Sequence, residues 1–226
     1  MQAPHFVNLT RHWRLPLTKV ANARRIPRSY DTWTASQRSQ STDASQPSLT
    51  KSKHHTMSKA FTFLPLGAII QEFNVNGVNI VQGFKTAEQY KQYNGPYFGE
   101  TIGRIANRVA KGKFELNGKT HQLPVNNGPN SLHGGDKGWG KCEFEGPVNV
   151  ERNGEDAVLF KYLSKDGEEG YPGTVQVSVW YVQKKEQVNG AQQEVLYIEY
   201  EAELVGDEVE ETAINMTNHR YVLRTT

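Results

Sequence analysis

The sequence predicts an all-β protein, an antiparallel β-sandwich, behind a basic N-terminal tail. Three observations carry this. From Phe61 onward the chain falls into short alternating or β-branched runs. Four of its Asn-Gly pairs separate such runs, and Asn-Gly is the strongest short-range hairpin signal. Apolar periodicity near 3.6 residues is almost absent, so few helices compete. Many short strands with regular turns bury their apolar faces as a sandwich or barrel. No internal repeat is evident.

In chain order, residues 1–56 are rich in Arg, Ser, Thr and Gln, with only Asp31 and Asp43 acidic. Without a sustained apolar period they cannot bury enough surface to offset ordering, so this segment is expected to be disordered. Arg11, Arg14, Arg24, Arg25 and Arg28 in an acid-poor, Ser-rich N-terminus also fit a mitochondrial transit peptide. His54-His55 is too isolated for a metal site.

Ile69 to Val75 and Val78 to Gly83 flank Asn76-Gly77, and Lys113 to Leu116 and Lys119 to Leu123 flank Asn117-Gly118. Asn153-Gly154 separates Val148 to Glu151 from Ala157 to Leu163. Asn189-Gly190 is expected in a longer loop between Thr174 to Val182 and Glu194 to Leu204, where Val175, Val177, Val179 and Tyr181 alternate with polar neighbours. Thr86 to Tyr93 supplies two helical turns before Gly95-Pro96.

Composition excludes several function classes. Nine of the 26 Lys+Arg and two of the 24 Asp+Glu precede residue 57, leaving 17 basic against 22 acidic residues and a formal charge of −5 on the body. The pI of 8.5 therefore belongs to the tail, and nucleic acid and anionic membrane are not expected partners. One cysteine, Cys142, cannot form an intramolecular disulfide, which points to a reducing compartment. The start lacks the roughly 7 to 15 apolar residues of a secretory signal. No stretch reaches the roughly 18 apolar residues of a transmembrane helix, so the body is expected to be soluble.

Polar, titratable and turn-forming residues converge at 103–135, GRIANRVAKGKFELNGKTHQLPVNNGPNSLHGG. Within Ile105 to Ala110, alternation places Asn107 and Val109 opposite Arg108. The bland reading of Arg108 is a surface arginine; the functional one is a fork of donors facing hydroxyls. His133 precedes Gly134-Gly135, which admit close approach to the imidazole, although a lone loop histidine is commonly solvated. Trp139 and Trp180 offer stacking faces but are read first as core. The Asp166 to Gly173 loop could be a calcium loop or a solvated turn. No HExxH, Walker A or dinucleotide-binding motif occurs.

GRIANRVAKG, NNGPNSLHGG, DGEEGYPG and NMTNHRY, in that order, resemble the aldose 1-epimerase (galactose mutarotase) family over residues 57–221. The resemblance implies a large antiparallel β-sandwich, a small aldohexose as substrate, and interconversion of its α- and β-anomers with no cofactor and no metal. It implies that Arg108 binds sugar with Asn107 beside it, that His133 binds substrate and assists catalysis, and that His219 is the general acid. Histidine, with an ordinary pKa near 6.5, suits that exchange near neutrality.

The family's general base is a glutamate, helped by a sugar-binding aspartate, both from the C-terminal half of the domain. Glu208, Glu210 and Glu211 lie in an acidic, turn-like run read as a solvated face. After Asn218-His219 the family has Ser-Tyr-Phe-Asn, whereas this chain has Arg220-Tyr221-Val222-Leu223. Gly140, in GDKGWGK, stands where the family has an acidic residue. Residues 57–226 are accordingly expected to be a partial, C-terminally truncated domain of doubtful activity. The alternatives are a non-catalytic sugar-binding relative and a non-functional truncated product. Since MSKAFTFLPLGAIIQEF could open a cytosolic member, residues 1–56 are read first as a gene-model extension ahead of a true start at Met57, with the cytoplasm the expected location, and mitochondria are the alternative if the tail is a transit peptide.

Overall fold

The computed structural model describes residues 60–222 apart from Asn76 and Asn189, together with a short strand at Ala21–Asn22. Its strands are β1 (Ala21–Asn22), β2 (Phe61–Leu64), β3 (Ile69–Val75), β4 (Val78–Asn79), β5 (Thr101–Ile102), β6 (Arg108–Val109), β7 (Lys113–Leu116), β8 (Lys119–Gln122), β9 (Ser131–Leu132), β10 (Glu145–Arg152), β11 (Glu155–Ser164), β12 (Val175–Val188), β13 (Ala191–Leu204), β14 (Ala213–Ile214) and β15 (Thr217–Asn218). Helix α1 is Ala87–Tyr93. Apart from β1, which pairs with β14, the expectation of a disordered tail lies outside the described residues.

The alternating runs become an antiparallel meander, β10-β11-β12-β13. Asn153 and Gly154 both take positive φ, +56° and +82°, as a two-residue hairpin turn with the strands' own twist requires. The longer loop expected around Asn189-Gly190 is not observed. β12 and β13 instead pair without interruption from Val175↔Leu204 to Val188↔Ala191. Polar cross-strand pairs replace apolar alternation there, as where the Gln183 amide donates to Glu194 at 2.5 Å.

Val175, Val177, Val179 and Tyr181 point to one side and are fully buried. Across from them packs the β2-β3-β4 sheet: Phe63 stacks on Tyr181 with centroids 4.5 Å apart, Phe61 lies 4.5 Å from Phe73, and the Tyr181 hydroxyl donates to the Ala68 carbonyl. This aromatic seam between two sheets makes the sandwich, each such side chain contributing roughly 1.5–3 kcal/mol on burial. Of Val78 to Gly83 only Val78–Asn79 joins the sheet. The Asn79 side chain itself accepts from the Phe73 and Val81 amides, ending the ladder.

α1 begins where Thr86 and Gln89 form a reciprocal capping box and ends at Asn94 before Gly95-Pro96. Its buried Tyr90 anchors the segment leading to β5. Among the described residues, no helix is long and apolar enough to cross a membrane.

Candidate active site

Two sequence motifs meet because β6 and β9 pair, with Arg108 opposite Leu132 and Val109 opposite Ser131. At the end of this short ladder Asn107 and His133 adopt left-handed backbone, φ +64° and +55°. The Asn107 amide donates to His133 Nδ1 at 3.2 Å, and the His133 amide donates to the Asn107 carbonyl at 3.1 Å. The Asn126 side chain accepts from Leu132 N (2.7 Å) and donates to the Leu132 and Gly135 carbonyls (3.0 and 2.6 Å), clamping the loop around His133. Gly134 has φ +91° and lies against Gly103, where a Cβ would overlap backbone.

The left-handed turn at Asn107 corrects the expected alternation. Asn107 and Arg108 converge rather than face apart: Arg108 Nη1 donates to Asn107 Oδ1 at 3.4 Å, and Nε donates to Asn127 Oδ1 at 2.9 Å. Arg108 is exposed, as the bland reading had it, yet two side-chain amides orient its fork.

His219 arrives from the far end of the chain. β14 and β15 are separate strands, because Asn215 between them bonds both sides of Ile105: its amide donates to the Arg104 carbonyl, and its carbonyl accepts from Ala106 N. β15 then pairs with β5, and the His219 amide donates to the Glu100 carbonyl at 2.8 Å. The imidazoles of His133 and His219 thus meet edge to face, centroids 5.0 Å apart. Tyr97 closes the group, 4.8 Å from His133 and 5.7 Å from His219. His219 Nδ1 is buried without a hydrogen-bond partner.

Burial above all, then the positive charges of His219, Arg108 and Lys141, pull the His133 pKa down to about 4. The Asn107 hydrogen bond acts in the same sense: a nitrogen that accepts from an amide cannot carry a proton, so the neutral ring holds its hydrogen on Nε2.

The DGEEGYPG loop braces this site from behind. Glu169 accepts from the Asp136 and Lys137 amides at 2.7 and 3.0 Å, immediately after the His133 loop. Glu168 accepts from Trp139 Nε1 at 3.2 Å and binds the Tyr162 and Ser164 hydroxyls. The loop's carbonyls at Ser164, Lys165, Pro172 and Gly173 are bonded by the Arg104 guanidinium at 2.7–3.2 Å. Asp166 in turn accepts from Gly173 N.

Arg104, 1% exposed, is the site residue that sequence reading missed. Its signal was its place between Ile102 and Ile105, since an arginine in an apolar run needs partners. Trp139 is core at 1% exposure; Trp180 is half-buried under Arg152, whose guanidinium lies 4.3 Å from the ring. Glu208 bonds the Thr174 hydroxyl at 2.6 Å, which holds its carboxyl below the ordinary range.

In solved structures the fold recurs in a galactose 1-epimerase from Lactobacillus acidophilus NCFM (TM-score 0.60, 27% identity, 73% of this chain and 46% of that one). It recurs also in a GalM/aldose epimerase homologue from C. elegans (TM-score 0.56, 28% identity, 72% and 46%). Residues 51–223 match the aldose 1-epimerase family, and the chain belongs to that family. It is 44% identical over 143 residues to galactose mutarotase of Bos taurus, covering 63% of this chain and 36% of that protein. It is 39% identical over 159 residues to the bifunctional protein GAL10 of Pachysolen tannophilus (69% and 22%). The chain spans about a third of the length of the galactose mutarotases it matches.

Proposed function

We propose that this chain forms the proton-donating and sugar-binding side of an aldose 1-epimerase site acting on aldohexoses such as galactose or glucose. The observation that carries the reading is the edge-to-face pair His133–His219, assembled from motifs 86 residues apart and flanked by Arg108. In this reaction a base removes the C1 hydroxyl proton while an acid protonates the ring oxygen. The C1–O5 bond breaks, C1 becomes an aldehyde, rotation about C1–C2 exchanges its faces, and reversal closes the other anomer.

His219 is the acid in this scheme. His133, held neutral at pH 7 by its low pKa, serves as a hydrogen-bond donor through Nε2 rather than as a proton source. Arg108 offers the outer nitrogens of its fork to sugar hydroxyls, and Asn107 orients it. Glu208, bonded to Thr174, is not the base; we assign that role to a carboxylate outside the described residues. One buried cysteine, Cys142, suits the cytoplasm.

Polarimetry of freshly dissolved α-D-galactose tests the reading, using the full-length protein. His219→Asn should slow anomer exchange by about 10²- to 10⁴-fold, the worth of one positioned acid. Equal rates for wild type and variant would remove His219 from the mechanism.

A second reading, a sugar-binding protein without catalysis, keeps Arg108, Asn107 and His133 as the binding groups and needs no base. Galactose binding without anomer exchange in the full-length protein would select it.

A further inference from the structure

We propose that Glu100 is a positioning residue of the sugar site, fixing Lys141 and, through it, the Tyr97 ring against His133 and His219; this rests on the reading above. Glu100 is 1% exposed, and its Oε1 accepts from Lys141 Nζ at 2.5 Å and from Asn94 Nδ2 at 2.7 Å. Lys141 also donates to the Asn94 carbonyl at 2.7 Å, so its ammonium is pinned from two directions. That ammonium lies 4.6 Å from the centroid of the Tyr97 ring, within range of a cation–π contact.

Tyr97 is the ring that touches both imidazoles, and it too sits in left-handed backbone, φ +61°. The same Glu100 accepts the His219 amide through its carbonyl and donates its own amide to Tyr97 O at 3.2 Å. One residue therefore ties the main chain of His219 to the ring that faces it. The role also explains a glycine. A Cβ at Gly140 would lie 2.9 Å from Glu100 Cδ and closer still to Oε2, so only glycine leaves the carboxylate its place. Burial raises the Glu100 pKa to about 7, while Lys141 and Asn94 oppose that rise. An ion pair buried at such cost suits a geometric function better than a stabilising one.

A merely structural pair would alter melting temperature and leave the ring geometry alone. The discriminating measurement is therefore the set of NOEs between Tyr97 ring protons and the imidazole protons of His133 and His219, in folded protein. Glu100→Gln and, independently, Gly140→Ala should each lose most of that intensity, whereas Glu100→Asp, whose charge the flexible Lys141 stem can follow, should keep it. In a galactose titration the first two variants should bind about tenfold more weakly. Wild-type NOE intensities in both Glu100→Gln and Gly140→Ala would overturn the proposal. If neither folds, Lys141→Met at its half-exposed position is read the same way, and unchanged NOEs there would overturn it. Absence of galactose binding by the wild type would instead sink the functional reading, with the NOEs still deciding the positioning role.

Discussion

Asn107 and His133 hydrogen-bond each other reciprocally, amide to Nδ1 at 3.2 Å in one direction and amide to carbonyl at 3.1 Å in the other, and both hold left-handed backbone. Left-handed φ costs an ordinary L-residue about 1–2 kcal/mol, less for asparagine and nothing for glycine. Asn107→Ala should therefore be about 1 kcal/mol less stable than Asn107→Gly in urea unfolding. Both should weaken sugar binding equally if the Asn107 side chain matters only through Arg108. Equal stability of the two variants would mean that the turn relaxes when its side chain is removed.

His133 should titrate near pH 4 in the folded protein, followed by imidazole NMR. Because its folded pKa lies below the unfolded value near 6.5, the unfolded chain binds more protons between pH 4 and 6.5. The stabilisation this gives is complete above pH 6.5 and lost as pH falls through 4, on the order of 2 kcal/mol after allowance for partial solvent screening. His133→Asn should lack this component, measured as the wild-type-minus-variant unfolding free energy against pH. A difference independent of pH would place the proton on His133 at ordinary values.

The strands were legible because period-two alternation and Asn-Gly turns are local signals: Ile69 to Val75 and Lys113 to Leu116 match β3 and β7 residue for residue. What was not legible depends on partners far along the chain. Residues 183–188 lack apolar alternation, yet continue β12 because β13 offers them a complete ladder. Asn107 looked like one more position in a strand, and only its partner His133, 26 residues on, makes the left-handed turn worthwhile. His133, His219, Arg108 and Asn107 were recognisable as motif residues. Tyr97 and Glu100 were not, since a carboxylate's burial or a tyrosine's second face is fixed only by tertiary contact, whereas Arg104 showed its need for partners only through its apolar neighbours Ile102 and Ile105.

Arg104→Met should be among the most destabilising single changes. Its guanidinium bonds four carbonyls, the Ser164 hydroxyl at 2.9 Å and the Thr212 hydroxyl at 3.3 Å, all in the interior. Burial lowers its pKa to about 10, opposed chiefly by Glu168, so it stays charged at neutral pH. Removing it orphans acceptors that water cannot reach, at about 3–5 kcal/mol. Arg104→Lys should recover little, because three donors on one nitrogen cannot span the same acceptors. Amide exchange should show Gly167, Gly170 and Tyr171 losing protection first, since their amides bond within the loop that Arg104 clasps. Unchanged protection there would mean that the loop stands without its arginine.

Glu100 should leave a pH signature of the opposite sense to His133. Its folded pKa, raised to about 7 chiefly by burial, exceeds the ordinary carboxylate value of 4.5, so the folded state binds more protons between those limits. The favourable contribution is complete below pH 4.5 and lost as pH rises through 7, amounting to about 3 kcal/mol at 1.36 kcal/mol per unit. Between pH 4.5 and 6.5 the wild-type profile therefore mixes two opposing slopes. Comparing Glu100 with Glu100→Gln in a common His133→Asn background removes the His133 part and leaves only the titrating carboxyl. The Glu100-minus-variant difference should fall steadily from pH 4.5 to pH 8. At pH 8 the ionised, Lys141-paired carboxylate stays buried at a net cost that the neutral amide does not carry. A difference that is flat from pH 5 to 8 and drops only below pH 4.5 would mean that Lys141 more than repays the desolvation of Glu100, with a folded pKa below 4.5.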